Sequence, residues 1–125
     1  MIRTELSLRL PNNAGALAGV CRLLADARVN VLAMSLDAAG QLRLVVDNHV
    51  HGAAVLREQR HQVVERDVLM LAVPNAPGAL AGPLRLAADA GINIDYVYGG
   101  AGDTGAASVV IGVEDALRAS AATGI

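Results

Sequence analysis

The sequence predicts an α+β fold made of two tandem copies of one small module. The first observation is an internal repeat: residues 11–30 and 74–93 are identical at 13 of 20 positions, at an offset of 63. The second is that a strand-like apolar stretch precedes each copy of the repeat, while apolar residues at helical spacing lie within it. We therefore divide the chain into module 1, residues 1–66, and module 2, residues 67–125.

In module 1 the predicted elements follow in the order β-α-β-β-α-β. Residues Glu5 to Leu10 alternate between polar and apolar, which predicts a first strand with its leucines facing a core. Leu17, Val20 and Leu24 recur at helical spacing and predict a helix over Ala16–Ala27. The remaining predicted elements are a strand at Val31–Leu36, a hairpin at Gly40, a strand at Leu42–Val46, a helix at Val50–Arg60 and a strand at Gln62–Glu65.

Module 2 repeats this order but ends before its last strand. Its predicted elements are a strand at Val68–Val73, a helix at Ala79–Ala90, a strand at Ile94–Tyr98, a glycine-rich hairpin at Gly99–Gly105, a strand at Ser108–Val113 and a helix at Glu114–Ala122. This order predicts a ferredoxin-like, split βαβ fold, in which an antiparallel sheet carries both helices of a module on one face.

The composition argues against several classes of function. A formal net charge of −2 leaves no basic face for phosphates, and module 1 has no aromatic residue to stack on bases, so nucleic acid is not an expected partner. The single cysteine, Cys21, excludes an intramolecular disulfide and a multi-cysteine metal site. Because no signal peptide or membrane-spanning stretch is recognisable, we expect a cytoplasmic protein without a membrane partner.

Two short motifs occur in both modules. The segments Pro11–Gly15 and Pro74–Gly78 follow the first strands, and Asn30 and Asn93 open the second strands within Val-Asn-Val and Ile-Asn-Ile. Together these motifs resemble the ACT domain, a family of small regulatory modules that bind amino acids, and the resemblance covers nearly the whole chain. Two departures are that Arg28 stands where the family has glycine, and that module 2 lacks its fourth strand.

The resemblance implies a non-catalytic, amino-acid-binding regulatory protein that needs no cofactor and acts on itself or on a partner enzyme or regulator. It also implies that the loop Asn and the strand Asn bracket the ligand at an interface between two modules. Which amino acid is bound does not follow from the motifs, because side-chain specificity depends on which modules face each other.

The chemistry of the loop fits such a ligand. Backbone N–H groups at the start of a helix can hold a carboxylate, and the Asn12 and Asn75 side chains offer a donor and an acceptor each. We expect Asn30 and Asn93 to lie beside these loops. The candidate ligand-binding residues are Asn12, Asn13, Ala14, Gly15, Ala16, Leu17 and Asn30 in module 1, and Asn75, Ala76, Gly78, Ala79, Leu80 and Asn93 in module 2.

Other interpretations remain open for these residues. Asn before a helix is a common N-cap, so Asn12 and Asn75 could serve only to cap helices. The same surfaces could also make protein contacts alone, in an interaction module without a small-molecule ligand. No nucleophile–base pair or pair of acids is spaced for chemistry, so we predict no catalytic residue and no enzyme activity.

A metal site is not expected either. Asp47, His49 and His51 would share one face only on a strand. The segment is predicted to turn into a helix at Asn48, which separates the three side chains.

A homodimer or larger assembly is expected from the strand faces of module 2. Val68, Met70 and Ala72 are apolar, although they lie opposite the equally apolar Leu69, Leu71 and Val73. The helices of the module can cover only one of these faces, and an open apolar face is rarely left in water. The equivalent sheet of a second copy would cover it.

Overall fold

The computed structural model describes residues 1–102 and 105–125. These residues form two compact units. The first unit is Thr4–Arg66, and the second unit is Asp67–Ile125 together with Met1–Arg3. Within the described residues, no helix is long and apolar enough to cross a membrane.

The described chain contains six strands and four helices, and the predicted α+β fold with β-α-β-β-α-β order is confirmed. The elements are β1 (Ile2–Arg9), α1 (Ala16–Asp26), β2 (Val31–Leu36), β3 (Gln41–Val46), α2 (His49–Glu58), β4 (Val64–Pro74), α3 (Ala81–Asp89), β5 (Ile94–Ala101), β6 (Ala106–Val113) and α4 (Ala116–Thr123).

One predicted boundary between strands is wrong. The separate strands expected at Gln62–Glu65 and Val68–Val73 are one continuous strand, β4, which runs from Val64 to Pro74. The two residues between the predicted strands are Arg66 and Asp67, and neither glycine nor proline interrupts the extended chain there.

The first unit has its core between its strands and both of its helices. Strand β3 pairs antiparallel with β1 and with β2, so Leu42 lies opposite Leu8 and Leu44 lies opposite Leu6 on one face. Both helices pack on that face. The buried core residues are Leu6, Leu8, Leu10, Val20, Leu24, Val29, Leu42, Leu44, Val46, Ala53 and Leu56. Burying one leucine side chain stabilises the fold by about 1.5–3 kcal/mol, so this aliphatic cluster holds the unit together without aromatic residues.

The second unit repeats this arrangement with β6 paired antiparallel to β4 and to β5. Its buried core residues are Leu69, Leu71, Val73, Val109, Ile111, Val113, Ala116 and Ala119. Helix α3 begins at Ala81, two residues later than predicted. A helix that began at Ala79 would place the ring of Pro83 against the carbonyl of Ala79, whereas a start at Ala81 leaves Pro83 in the first turn, where proline is tolerated.

Met1–Arg3 lies beside β4 within the second unit. The Met1 ammonium donates to the carbonyl oxygen of Met70 at 3.1 Å, and the Met70 N–H donates to the carbonyl oxygen of Met1 at 2.8 Å. This reciprocal pair is the hydrogen-bonding pattern of two antiparallel strands. The side chain of Ile2 packs against the core of the second unit.

Candidate ligand-binding site

The loop between β1 and α1 lies against the hairpin between β2 and β3. The Leu10 N–H donates to the carbonyl oxygen of Gly40 at 2.8 Å, and the Arg9 guanidinium donates to the carbonyl oxygen of Ala39 at 2.6 Å. The two segments meet because β1 and β2 both run antiparallel to β3 and therefore end at the same edge of the sheet.

A small pocket lies between this loop and this hairpin. Its volume is about 120 Å³, and its lining residues are Leu10, Pro11, Asn12, Asn13, Gly15, Ala16, Leu17, Leu36, Asp37, Ala38 and Gly40. The list includes every loop and helix residue predicted for the module 1 site except Ala14, which is exposed. The volume is well below the roughly 300–1,000 Å³ of sites for drug-sized ligands, so the pocket suits a small polar group or one end of a larger molecule.

Helix α1 begins in this pocket without a side-chain cap. Its N-cap residue is Gly15, in the left-handed conformation with φ 91°, so the alternative that Asn12 caps the helix is wrong. Asn75 does not cap α3 either, because the N-cap there is Leu80. In the described part of the chain, the N–H groups of Leu17 and Ala18 have no protein acceptor. Free N–H groups at the positive end of a helix can hold a carboxylate.

Asp37 adds a carboxylate to the pocket. Its Oδ1 accepts from the N–H groups of Ala39 and Gln41, both at 3.0 Å, which shapes the hairpin. Its Oδ2 lies 3.9 Å from Nη1 of Arg43, and the side chain is half exposed. The pocket therefore combines donors at the helix start with acceptors on Asn12 and Asp37. Sequence reasoning missed Asp37, although the common direction of β1 and β2 would have indicated that the hairpin lies at this edge.

Asn30 lies at the other end of β2. Its N–H donates to Oδ1 of Asp47 at 3.0 Å, and its carbonyl oxygen accepts from the Asp47 N–H at 3.0 Å. The six residues of β2 separate it from the hairpin by roughly 20 Å at 3.3 Å per residue. The expectation that Asn30 lies beside the loop of its own module is wrong, because α1 returns the chain to the opposite edge of the sheet before β2 begins.

The loop of module 2 repeats the backbone of the first loop. The Ala76 N–H donates to the carbonyl oxygen of Pro74 at 2.9 Å, as Asn13 does to Pro11, and Gly78 has φ 80°. The Asn75 N–H donates to the carbonyl oxygen of Gly105 at 2.9 Å, which ties this loop to the β5–β6 hairpin. The predicted hairpin Gly99–Gly105 includes positions 103 and 104, which lie outside the described residues.

The pocket near this second loop differs from the first. It has about 360 Å³ and is lined by Leu80, Val97, Tyr98, Gly99, Gly100, Ala101, Ala107 and Val109. Of the residues predicted for the module 2 site, only Leu80 lines it. Asn93 lies before β5, and its Nδ2 donates to Oδ1 of Asp95 at 3.5 Å. Asn75, Ala76, Gly78 and Ala79 are not among the residues that line this pocket.

Comparison with known proteins identifies the family. A family model described as an ACT domain pair matches residues 1–119. The chain belongs to the ACT domain pair family. A crystal structure of a protein from Bacteroides thetaiotaomicron superposes with a TM-score of 0.89 at 30% identity, covering 98% of this chain and 86% of that one. No match was found among curated proteins.

Two further similar structures come from aspartate kinases. The ligand-free regulatory subunit of aspartate kinase from Thermus thermophilus has a TM-score of 0.71 at 20% identity and covers 99% of this ACT pair and 92% of that chain. Aspartokinase III of E. coli, in complex with lysine and aspartate, has a TM-score of 0.61 at 18% identity and covers 94% of this chain and 29% of the kinase. At such identities the likeness shows the shared fold alone.

Asp47 precedes α2, and His49 and His51 lie within this helix. Asn48 caps α2, and its Oδ1 accepts from the His51 N–H at 3.1 Å, so the segment turns into a helix at the predicted residue. Among residues 1–102 and 105–125, no cluster of three or more His, Cys, Asp or Glu side chains could hold a metal ion.

Proposed function

We propose that this ACT pair is a non-catalytic regulatory protein that binds a free amino acid at the loop between the first strand and the first helix of a module. The observation that carries the proposal is the module 1 pocket, where an uncapped helix start faces Asn12 and Asp37. An amino acid carries one carboxylate and one ammonium group, and both kinds of partner are present in this pocket.

In the proposed complex the ligand carboxylate accepts from the free N–H groups of Leu17 and Ala18. The ligand ammonium donates to the side-chain oxygens of Asn12 and Asp37. Gly15 and its open surroundings let the ligand approach the backbone, since no atom lies within 4 Å of the position that a Cβ would occupy there. Leu36 lines the pocket, where it would contact the ligand side chain.

The proposed site is completed by another module. A pocket of about 120 Å³ covers only part of an amino acid, and Asn30 lies at the far end of β2. Strand β2 is the outer strand of the first unit, next to β3 only. Two β2 strands paired antiparallel would place Asn30 of one module beside the loop of the other. Asn93, at the start of β5, can complete a site in the same way for module 2.

The proposed modules, residues 1–66 and 67–125, would each contribute one loop. Support for an amino acid as the ligand comes from the ACT family and from the name of one similar structure, a kinase bound to lysine and aspartate. Support for a regulated partner comes from the regulatory subunit of aspartate kinase. We propose that this chain likewise acts on an enzyme or regulator.

An interaction module without a small ligand is the second candidate. The observation that favours it is the row of apolar side chains on β2, where Leu32, Met34 and Leu36 are 37%, 39% and 44% exposed. An exposed apolar edge strand is suited to pairing with another chain. Under this alternative the loop pocket holds only water.

The two candidates differ in a thermal-shift screen of the proteinogenic amino acids. We expect at least one of them to raise the melting temperature, since a ligand at 100 times its Kd stabilises the folded state by about 2.7 kcal/mol. The variant N12A/N75A should lose more than about 1 kcal/mol of that stabilisation, the value of a hydrogen bond to a charged group.

The matched control is Gln59→Ala, an exposed side chain at the end of α2 and outside the loops, which should respond to the ligand as the wild type does. If no amino acid shifts the melting temperature, the interaction module is the better description. If an amino acid binds the double variant unchanged, the ligand lies elsewhere.

A further inference from the structure

A polar pocket that the loop motifs do not include lies in the first unit. Its volume is about 450 Å³, within the roughly 300–1,000 Å³ range of small-molecule sites. It lies where the end of β1 and the start of β3 meet the segment that follows α2. Its lining residues are Ser7, Leu8, Arg9, Gln41, Arg60, His61, Gln62 and Val64. None of these residues lines the loop pocket, so the two cavities are distinct.

Two arginines and a histidine make the polar pocket a site for an anion. No aspartate or glutamate lines it within the part of the chain that the structure describes. Nη1 of Arg9 donates to the carbonyl oxygen of Ala39 at 2.6 Å, which leaves the other guanidinium donors of Arg9 for a ligand. The side chains of Arg60 and His61 have no hydrogen-bond or ion-pair partner among the described residues. The pocket therefore holds several donors of hydrogen bonds whose acceptor would be a bound molecule.

The backbone of Arg60 is strained for an arginine. Two residues after the end of α2, its φ is 67°, in the left-handed region. The Arg60 N–H donates to the carbonyl oxygen of Arg57 at 2.9 Å, and the His61 N–H donates to that of Leu56 at 3.1 Å, which closes the helix. Glycine is the usual residue at this position, because a Cβ opposes the left-handed conformation.

The helices of module 2 end with glycine in the same conformation, Gly91 after α3 and Gly124 after α4. The helices of module 1 end with arginine instead, Arg28 after α1 and Arg60 after α2. Strained residues of this kind cluster at functional sites, where the side chain has a role that glycine cannot fill. Arg60 lines the polar pocket and Arg28 does not, so the two residues separate the effect of the strain from that of the site.

We propose that the polar pocket binds a phosphate monoester with a hydroxyl-bearing body, of the sugar-phosphate class. The guanidinium groups of Arg9 and Arg60 each present a planar fork of N–H donors, which matches the oxygens of a phosphate. A phosphate monoester carries a charge of about −1.5 to −2 at pH 7, so it balances two arginines better than a carboxylate does. The Ser7 hydroxyl and the amides of Gln41 and Gln62 bind the hydroxyl groups of the body.

The lining residues argue against two other anionic ligands. Module 1 contains no aromatic residue that could stack on the base of a nucleotide. A free α-amino acid would bring its ammonium group to a pocket that is lined by two arginines and by no carboxylate among the described residues. The polar pocket and the loop pocket thus select different ligands, and neither assignment depends on the other.

Glucose 6-phosphate tests the proposal by titration into the isotope-labelled full chain, followed by NMR amide shifts at low salt, where exposed charges are least screened. We expect saturable shifts at the amides of Ser7, Gln41 and Gln62, and at least tenfold weaker binding of glucose and of inorganic phosphate. Arg60→Gly removes the guanidinium and suits the left-handed backbone. This variant should stay folded and bind glucose 6-phosphate at least tenfold more weakly than the wild type.

Arg28→Gly is the matched control, because it removes an arginine from the same backbone conformation outside the pocket, and it should bind as the wild type does. Gln62→Glu keeps the size of the side chain but brings a carboxylate into the pocket, so it should also weaken binding at least tenfold. The proposal is overturned if glucose 6-phosphate shifts only amides outside the pocket, if glucose or inorganic phosphate binds as tightly, or if Arg60→Gly binds as Arg28→Gly does. N12A/N75A should bind glucose 6-phosphate unchanged, whereas a loss of binding there would place it in the loop pocket and overturn the proposal as well.

Discussion

At the scale of single residues, Gly40 determines how the hairpin meets the loop. Its φ is 86°, in the left-handed region, and a Cβ built there would lie 2.4 Å from the carbonyl oxygen of Leu10. The same residue accepts the hydrogen bond that closes the loop, from the Leu10 N–H. Glycine therefore serves two needs here, the backbone conformation and the close approach, and both shape the candidate pocket.

We expect Gly40→Ala to destabilise the protein by at least about 2 kcal/mol, because the left-handed conformation alone costs about 1–2 kcal/mol and the clash adds to it. Urea unfolding measures the difference. Gly19→Ala is the matched control, since Gly19 lies in α1 with no atom within 4 Å of its would-be Cβ. The free energy of unfolding of this control should rise by about 0.5–1 kcal/mol, because alanine stabilises a helix better than glycine does. Equal stabilities for the two variants would contradict this account of Gly40.

At the scale of elements, local patterns predicted most of the fold because helix and strand periodicity depend on neighbours in sequence. Because the repeat at an offset of 63 presents these patterns twice, the elements within it were predicted from two copies. The missed features involve distant residues or backbone direction. Pairing of Met1 with Met70 has no local signature, and the position of Asn30 depends on where α1 returns the chain. For the same reason the loop residues of the module 1 site were predicted while Asp37 was not.

The segment Met1–Arg3 pairs with β4 in the second unit, and its contribution to stability is testable. Ile2→Ala should lower the free energy of unfolding by about 1–2 kcal/mol, below the 2–5 kcal/mol of a fully buried isoleucine because Ile2 is only partly buried. Native-state hydrogen exchange should show faster exchange at the Met70 amide, which donates to Met1. Val64→Ala is the control, since Val64 is 63% exposed in β4. An unchanged Met70 amide in the Ile2 variant would show that the segment does not stabilise the unit.

At the scale of the whole molecule, the reason first given for a dimer is wrong in one respect. Val68 and Val110 lie on the sheet face expected to be open, but they are 0% and 1% exposed within the single chain. On the same face Met70 is partly buried and Ala72 is exposed, so a smaller part of this face is open than expected. The outer strands of the two units also carry exposed apolar side chains, with Met34 on β2 and Val97, 53% exposed, on β5.

We predict a homodimer or larger assembly joined through these outer strands. Exposed apolar edge strands are rarely left unpaired in soluble proteins, and the proposed amino-acid site needs Asn30 or Asn93 from another module. Light scattering should therefore give at least twice the 12.8 kDa of one chain. Met34→Lys places a charge on the edge and should yield monomers that no longer bind the amino acid.

Leu117→Lys is the control for that variant, because Leu117 is 74% exposed on α4 and away from the outer strands. It should assemble and bind as the wild type does. A wild-type mass near 12.8 kDa would disprove the assembly. A monomeric Met34→Lys protein that still binds the amino acid with wild-type affinity would show that one module holds the ligand alone, because the partner's asparagine would then contribute nothing to binding.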